Sequence, residues 1–166
     1  MKTLYLLRHA KSSWNYPELE DFERPLNKRG RTDLPLMGKV LKQLKVKPDL
    51  ILASPATRAA MTAKIISEYL NMDERKLKFD TSIYEADPTS LLQLLRRMPK
   101  EIDSLILIGH NPALTSLANI LANHQVSNIP TAGCYAINFN ISDWSKINEK
   151  MGHFTFFEFP KKYYNE

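Results

Sequence analysis

Three stretches of this sequence carry side chains that are well suited to handling phosphate. Arg8 and His9 directly follow a short apolar run, and Arg58 and His110 each lie a few residues beyond a later apolar run. An arginine guanidinium matches phosphate oxygens in pairs, and a neutral imidazole can attack phosphorus to form a covalent intermediate. Each group alone is explained equally well as a solvated strand end. The chemistry therefore depends on whether the fold brings the three stretches together.

The elements that must position these groups begin with the strands. Six short stretches predict β-strands: 1–7, 50–53, 77–80, 104–108, 135–141 and 154–159. Helical patterns separate the first four, an alternation that is typical of parallel strands. The last two follow each other with only a loop between them, which favours an antiparallel pair at a sheet edge.

The first helix follows a long loop without clean periodicity. Asn27 can cap this helix, and apolar residues at helical spacing mark one buried face. Because Pro35 cannot donate a backbone hydrogen bond, it belongs in a first turn or at a kink. We therefore expect the regular helix to run from about Thr32 to Lys45, with a turn before it.

Three further helices are expected where a polar residue precedes a proline. These helix-start signals are Ser54-Pro55, Asp87-Pro88 and Asn111-Pro112. The overall order is β-α-β-α-β-α-β-α-β-β, without an internal repeat or linker. This order predicts a single three-layer α/β/α domain over residues 1–166, with a mostly parallel sheet and an antiparallel edge.

The predicted sheet brings the basic groups to one edge. Carboxyl ends of parallel strands share an edge, and ligands of open α/β sheets bind there. Arg8, His9, Arg58 and His110 would then face one pocket, together with helix N-termini that attract anions. A transferring phosphoryl group fits this set of charges, and His9 is the candidate nucleophile.

Four ordered motifs carry a resemblance to a known family. They lie at residues 6–14, 24–30, 54–59 and 109–112. The sequence resembles the histidine phosphatase (phosphoglycerate-mutase-like) superfamily and, within it, the SixA-type phosphohistidine phosphatases. The resemblance covers roughly residues 3 to 141 and includes the fold expected above. Ala10 stands where many members have glycine, a variant that looks like the small SixA-type branch.

The resemblance implies a role for each of the basic groups. His9 would be phosphorylated and the phosphohistidine then hydrolysed by water. Arg8, Arg58 and His110 would hold the non-bridging oxygens of the phosphoryl group. Neither a metal nor another cofactor would be needed.

The general acid is an open question at this stage. Larger members of the family use a glutamate in the loop after the third strand, and Glu85 occupies the equivalent stretch. The alternative is a surface glutamate near a helix start that Asp87 already caps. An alkoxide leaving group needs protonation, whereas a phosphohistidine leaves as imidazole and needs less help. A dispensable Glu85 would therefore favour a phosphoramidate substrate.

Several other polar and aromatic residues are weaker candidates. Lys11 is expected to add to the field that attracts anions, and Thr131 to approach the site from its own loop, so both are candidates for substrate binding. Trp14 either lines the mouth of the pocket or packs its loop. His124 is expected at the surface or near a helix end, and His153 is expected to be structural. The four histidines lack metal-ligand spacing.

Composition narrows the class of protein. The 166 residues are 43% apolar with a net charge of +5, which favours an anionic partner. No known nucleic-acid motif and no run of about 18 apolar residues is present. We therefore expect a phosphorylated substrate, with neither nucleic acid nor a membrane as partner. The single cysteine, Cys134, and the lack of a visible signal peptide favour the cytoplasm.

Four functions remain in competition at this point. The leading hypothesis is a phosphatase that works through phosphorylated His9 and acts on phosphohistidine in proteins. A phosphatase of small sugar or lipid phosphates and a phosphomutase are the enzymatic alternatives. A mutase would need a pocket closed against water, for which the chain offers little length. A non-catalytic module that binds anions or nucleic acid is the alternative from another class.

The substitution His9→Ala is expected to abolish turnover of a generic aryl phosphate, because it removes the nucleophile. EDTA is expected to leave the wild-type rate intact. Steady-state release of the phenolate reports both results, and a rate that requires added metal would contradict the hypothesis.

Overall fold

A six-stranded mixed sheet forms the centre of the computed structural model, which describes residues 1–164. The strands are Lys2–Arg8 (β1), Leu50–Ala53 (β2), Leu77–Phe79 (β3), Ser104–Gly109 (β4), Cys134–Phe139 (β5) and His153–Glu158 (β6). The α-helices are Lys28–Gln43 (α1), Thr57–Tyr69 (α2), Pro88–Arg96 (α3) and Ala113–Leu121 (α4).

Strand order across the sheet is β3-β2-β4-β1-β5-β6. The four strands β3, β2, β4 and β1 are parallel, whereas β5 runs antiparallel to β1 and β6 antiparallel to β5. This arrangement confirms the expected parallel sheet with an antiparallel edge. It also places the ends of β1, β2 and β4 side by side, because Arg8 pairs with Gly109 and Ala53 with Ile108.

Helices cover both faces of the sheet. Apolar residues of α1 and α2, such as Met37 and Ile66, pack on one face, and those of α3 and α4, such as Leu95 and Leu117, pack on the other. The central strands are therefore buried on both sides, which explains their nearly continuous apolar sequences. The three-layer architecture agrees with the sequence prediction.

Helix α1 begins earlier than the sequence analysis predicts. It starts at Lys28, and the Asn27 side chain caps it by accepting a hydrogen bond from the backbone N–H of Gly30 at 2.9 Å. Pro35 consequently lies inside the helix. One missing backbone hydrogen bond is outweighed here by the burial of the apolar face that includes Leu34 and Met37.

The second helix begins later than predicted. Ser54 and Pro55 precede α2, which starts at Thr57 after Ala56 in an extended conformation. The Ser54 hydroxyl accepts a hydrogen bond from the N–H of Ala56, and it also contacts His110, so its side chain is engaged outside the helix.

The remaining two helix-start signals are closer to the observed bounds. Asp87 caps α3 with Pro88 in the first turn, as predicted. Helix α4 begins at Ala113, immediately after Asn111-Pro112. The Asn111 side chain accepts a hydrogen bond from the N–H of Thr115, so this asparagine still serves the first turn of the helix.

Gly30 brings α1 against the backbone that follows the first strand. A Cβ atom at this position would collide with the carbonyl oxygen of Lys11, which accepts a hydrogen bond from the N–H of Asn27 at 3.0 Å. Gly38, farther along α1, has a comparable close approach to the Tyr69 side chain of α2. Gly30 therefore allows a close contact with the segment that follows His9, whereas Gly38 allows a close contact between α1 and α2.

Gly30→Ala and Gly38→Ala form a matched pair. Each is expected to lower the free energy of unfolding by roughly 1–3 kcal/mol, because each forces a tight contact apart. Only Gly30→Ala is expected to lower kcat, by about tenfold or more, since it displaces the segment that carries His9. Urea unfolding and the turnover of aryl phosphate by the folded fraction measure the two effects. A wild-type kcat in Gly30→Ala would contradict this assignment.

Candidate active site

Three strand-to-helix junctions meet at the carboxyl edge of the parallel strands. β1 ends at Arg8 and continues into His9, whose N–H donates to the carbonyl of Gly109 at the end of β4. His110 follows β4 directly, and Arg58 is the second residue of α2, which follows β2. The ring centroids of His9 and His110 lie 5.1 Å apart. The structure thus brings together all four basic groups that the sequence singles out.

The hydrogen bonding of His9 fixes its tautomer. Its side chain is buried at 7% exposure, and Nδ1 lies 2.8 Å from the carbonyl oxygen of Ala10. Because a carbonyl can only accept, Nδ1 carries the proton and Nε2 carries the lone pair. Burial, together with His110 and the nearby arginines, lowers the pKa of His9 to about 3. The imidazole is therefore neutral at pH 7, as a nucleophile must be.

His110 is anchored through its other nitrogen. Nε2 lies 2.7 Å from the Ser54 hydroxyl, and Nδ1 lies 3.4 Å from the guanidinium of Arg58, which can only donate. His110 therefore donates from Nε2 to Ser54. Burial and the charge of Arg58 lower the pKa of His110 to about 4.

Two guanidinium groups flank the histidines. Arg8 donates from Nη1 to the carbonyl of Ile129 at 3.1 Å. The Nε atoms of Arg8 and Arg58 are buried and have no hydrogen-bond partner among residues 1–164. Burial and the charge of Arg58 lower the pKa of Arg8. Buried donors without acceptors cost free energy, so an anion bound between these arginines is favoured.

Asp21 holds Arg58 in place from the loop before α1. Arg58 donates to the backbone carbonyl of Asp21 at 2.7 Å and to its carboxylate at 3.0 Å. The Tyr84 hydroxyl donates to the same carboxylate at 2.7 Å. The hydrogen bond from Tyr84, together with Arg24 and Arg58, lowers the pKa of Asp21 to about 2. Asp21 is therefore a charged partner at neutral pH.

Arg24 is a third arginine at the site, to which sequence reasoning gives no role. Its side chain is 8% exposed and donates to the Ser12 hydroxyl at 2.5 Å and to Asp21 at 3.0 Å. Its guanidinium lies 3.6 Å from the ring centroid of Trp14. Arg24 and Asp21 lie in an aperiodic loop, and the only sequence signal for Arg24 is its place in the 24–30 motif.

A cavity of about 320 Å³, called here the catalytic cavity, contains these groups. It is lined by Arg8, His9, Lys11, Ser12, Trp14, Arg24, Arg58, His110, Asn111 and Thr131. Lys11 and Thr131, both predicted as substrate-binding residues, are therefore at its wall. Trp14 is 76% exposed, which places it at the mouth of the cavity and not in a packed loop.

The loop that carries Thr131 is hydrogen-bonded to the end of the first strand. Ala132 adopts a positive φ of 61°, and its N–H lies 3.1 Å from the carbonyl oxygens of both Arg8 and His9. A non-glycine residue in this conformation is strained and persists only where its surroundings enforce it. Its hydrogen bonds tie the loop to the backbone of Arg8 and His9.

The remaining candidates do not belong to the cavity wall. Glu85 is exposed and does not line the cavity, whereas its neighbour Tyr84 packs edge-on against His110 with ring centroids 5.5 Å apart. The role of Glu85 as general acid therefore stays a prediction. His124 is exposed and stacks on Phe154. His153 is exposed at the start of β6.

Comparison with known proteins agrees with this geometry. A sequence model of the histidine phosphatase superfamily (branch 1) matches residues 4–89, just over half of the chain. The chain belongs to the histidine phosphatase superfamily. The motif resemblance is thereby confirmed at the level of the superfamily.

Relatives of this superfamily member come from a plant, from bacteria and from yeast. An uncharacterized chloroplastic protein of Arabidopsis thaliana is 31% identical over 75% of this chain, which spans 61% of that relative. An uncharacterized protein of Mycobacterium tuberculosis is 31% identical over 70% of each chain. Phosphoglycerate mutases are also among the relatives, over shorter segments.

The SixA-like fold is confirmed by a solved structure. The SixA protein of Agrobacterium tumefaciens has a TM-score of 0.80 and 25% sequence identity, and the match covers 96% of this chain and 99% of that one.

The described residues contain neither a metal-binding cluster nor a membrane-spanning helix. Residues 1–164 contain no group of three or more His, Cys, Asp or Glu side chains that could hold a metal ion. No helix in the same range is long and apolar enough to span a membrane.

The lowered pKa values make stability sensitive to acid. His9 and His110 are neutral in the folded protein down to about pH 3 and 4, but in the unfolded chain they bind protons below about pH 6.5. The unfolded state therefore binds more protons in this window, and stability falls as the pH drops from 6.5. For His9 the loss between pH 7 and pH 5 is about 2 kcal/mol.

Urea unfolding at pH 7 and pH 5 measures this loss. His9→Asn is expected to show a smaller drop in unfolding free energy between the two pH values than the wild type. His153→Asn, which changes an exposed histidine, is the control and should follow the wild type. Equal drops in wild type and His9→Asn would disprove the buried neutral imidazole.

Proposed function

We propose that this histidine phosphatase superfamily member is a hydrolase that transfers a phosphoryl group to Nε2 of His9 and then to water. The observation that carries the proposal is the lone pair on Nε2, fixed by the Ala10 carbonyl inside a cavity lined by Arg8, Arg58 and His110. The three neighbours supply positive charge or hydrogen-bond donors where charge develops on the equatorial oxygens.

The reaction has two balanced steps. Nε2 of His9 forms a bond to phosphorus while the bond from phosphorus to the leaving group breaks. The proton stays on Nδ1 of His9, and its hydrogen bond to the Ala10 carbonyl stabilises the phosphorylated imidazole. Water then adds its oxygen to phosphorus, the phosphorus–nitrogen bond breaks, and the water proton passes to solvent. Inorganic phosphate leaves and His9 regains its lone pair.

Two contacts of His110 prepare it to bind the phosphoryl group. Its Nδ1 faces Arg58 across 3.4 Å, and its Nε2 is held by Ser54. A dianion beside it raises the pKa of the imidazole and favours the protonated ring. His110 would then donate from Nδ1 to a phosphoryl oxygen while Ser54 keeps the ring in place.

The leaving group that suits this site is an imidazole. Asp21 is a carboxylate that pairs with Arg24 and Arg58 at the site, and it is charged because Tyr84, Arg24 and Arg58 all donate to it. It therefore has no proton to donate at neutral pH, and Glu85 lies off the cavity wall. An alkoxide needs a general acid, whereas a phosphohistidine with its second nitrogen protonated leaves as neutral imidazole.

The surroundings of the cavity suit a protein as the bearer of that phosphohistidine. Trp14 at its mouth is 76% exposed, and Tyr16 and Phe22 of the same loop are 49% and 37% exposed. Exposed aromatic side chains are enriched where proteins bind other proteins. We therefore propose phosphohistidine in a protein as the substrate, hydrolysed without a metal.

A phosphomutase is the second candidate, because phosphoglycerate mutases are among the relatives. A mutase must return the phosphoryl group from His9 to a product before water reaches it. The exposed mouth at Trp14 works against such retention. Transfer of phosphate to an added alcohol, measured against its release to water, separates the two functions.

A series of leaving groups tests the hydrolase. Phosphohistidyl peptide is expected to be hydrolysed with a kcat/KM at least about 100-fold above that of an alkyl phosphate, with aryl phosphate between them. Glu85→Gln is expected to leave the phosphohistidine rate unchanged, as is Glu101→Gln, the control at another exposed glutamate. Equal rates for the three substrates, with a large loss in Glu85→Gln alone, would instead assign phosphoesters as substrates and Glu85 as general acid.

A further inference from the structure

A second cavity opens beside the catalytic cavity, and nothing in the reaction described above uses it. This side cavity has a volume of about 200 Å³. It is lined by Lys11, Arg29, Asp33, Pro130, Thr131, Phe159, Pro160 and Lys161. Lys11 and Thr131 also line the catalytic cavity, so the two cavities share a wall.

Arg29 is held in the side cavity by one end of its guanidinium. Its Nε donates to both carboxylate oxygens of Asp33, at 3.0 and 3.2 Å, and the Asp33 side chain is only 2% exposed. The Tyr164 hydroxyl donates to Asp33 as well, and the Tyr164 ring stacks on Arg29 at 4.9 Å. The hydrogen bonds to Asp33 use only Nε of Arg29, whose side chain is 44% exposed to solvent. A guanidinium fixed in this way is prepared to bind an anion.

The charges of the side cavity are unbalanced. Lys11, Arg29 and Lys161 bring three positive charges to its wall, and Asp33 brings one negative charge that Arg29 already pairs. Phe159 and Pro160 form an apolar side of the same cavity. An apolar wall lowers the local dielectric and strengthens the attraction of the cations for an anion. The lining therefore fits a phosphate or carboxylate group.

We infer that the side cavity is a subsite for a second anionic group of the substrate whose phosphoryl group reacts at His9. Lys11 and Thr131 lie between the two positions and contact the part of the substrate that joins the two anions. This inference rests on the proposed function for the identity of the first anion. The second anion is either a further phosphate on a small molecule or an acidic side chain beside a phosphohistidine.

Binding of non-hydrolysable phosphonates tests the subsite without any turnover. Alkylene bisphosphonates of increasing chain length are compared with the corresponding alkyl monophosphonates by isothermal titration calorimetry. At one length the bisphosphonate is expected to bind wild type about tenfold tighter than the monophosphonate, because two anions are held at once. Equal affinities at every length overturn the inference.

Variants locate the second anion. Lys161→Gln is expected to reduce the advantage of the bisphosphonate to about threefold or less, and Arg29→Gln to remove it. Lys162→Gln is the matched control, because Lys162 does not line the cavity and donates instead to Phe157 and Glu158. Arg29→Gln leaves Asp33 buried without its cation and can therefore unfold the protein. If the Arg29→Gln variant unfolds, Lys161→Gln decides the result. An advantage that persists in Lys161→Gln overturns the inference.

A further comparison separates the two sources of the anion. Phosphohistidyl peptides with flanking glutamates are compared with peptides that carry glutamines at the same positions. A loss of kcat/KM in Lys161→Gln that is confined to the glutamate peptide assigns the subsite to an acidic protein side chain. Equal rates for both peptides, with the bisphosphonate effect retained, assign it to a second phosphate on a small molecule. If the protein hydrolyses none of the phosphates tested, the proposed function fails. The binding measurements still test the subsite, because calorimetry with phosphonates needs no reaction.

Discussion

Positive charge gathered at the carboxyl edge of a parallel sheet is the constraint on which the rest of this structure depends. Arg58 is buried there and Arg8 is half-buried. Burial and the charge of Arg58 both disfavour the charged form of Arg8 and lower its pKa. Asp21 offsets part of this cost by pairing with Arg58. The proposed anion would offset the rest of the cost, since the buried Nε atoms of Arg8 and Arg58 have no hydrogen-bond partner among residues 1–164.

The same surroundings give two imidazoles different tasks. A backbone carbonyl holds the proton of His9 on Nδ1, whereas a hydroxyl group holds the proton of His110 on Nε2. Burial keeps both rings neutral at pH 7. In the proposed function, the nucleophile and the hydrogen-bond donor differ in which ring nitrogen is anchored, a general way of assigning separate roles to identical side chains.

Sequence reasoning reaches the parts of the site that regular elements position. Arg8, His9 and His110 lie at or directly after the ends of strands. The apolar runs and the parallel order of these strands can be recognised in the sequence, so the convergence of the three residues is predictable. Asp21 and Arg24 are not reached in this way, because they lie in a loop without periodicity and their contacts form only in the folded chain. The start of α2 is mispredicted for a related reason. The Ser54 side chain bonds to His110 and to the N–H of Ala56, and it does not cap the helix, which begins only at Thr57.

The pairing of the first strand has a consequence for how the chain acquires its shape. Thr3 of β1 lies opposite Ser104 of β4 and Asn138 of β5, so the central strand finds its neighbours only after roughly a hundred residues have followed. During synthesis the apolar segment of β1 therefore stays unpaired until β4 and β5 have emerged. Such non-local topologies close slowly and leave strand edges open to aggregation or chaperone capture in the interval.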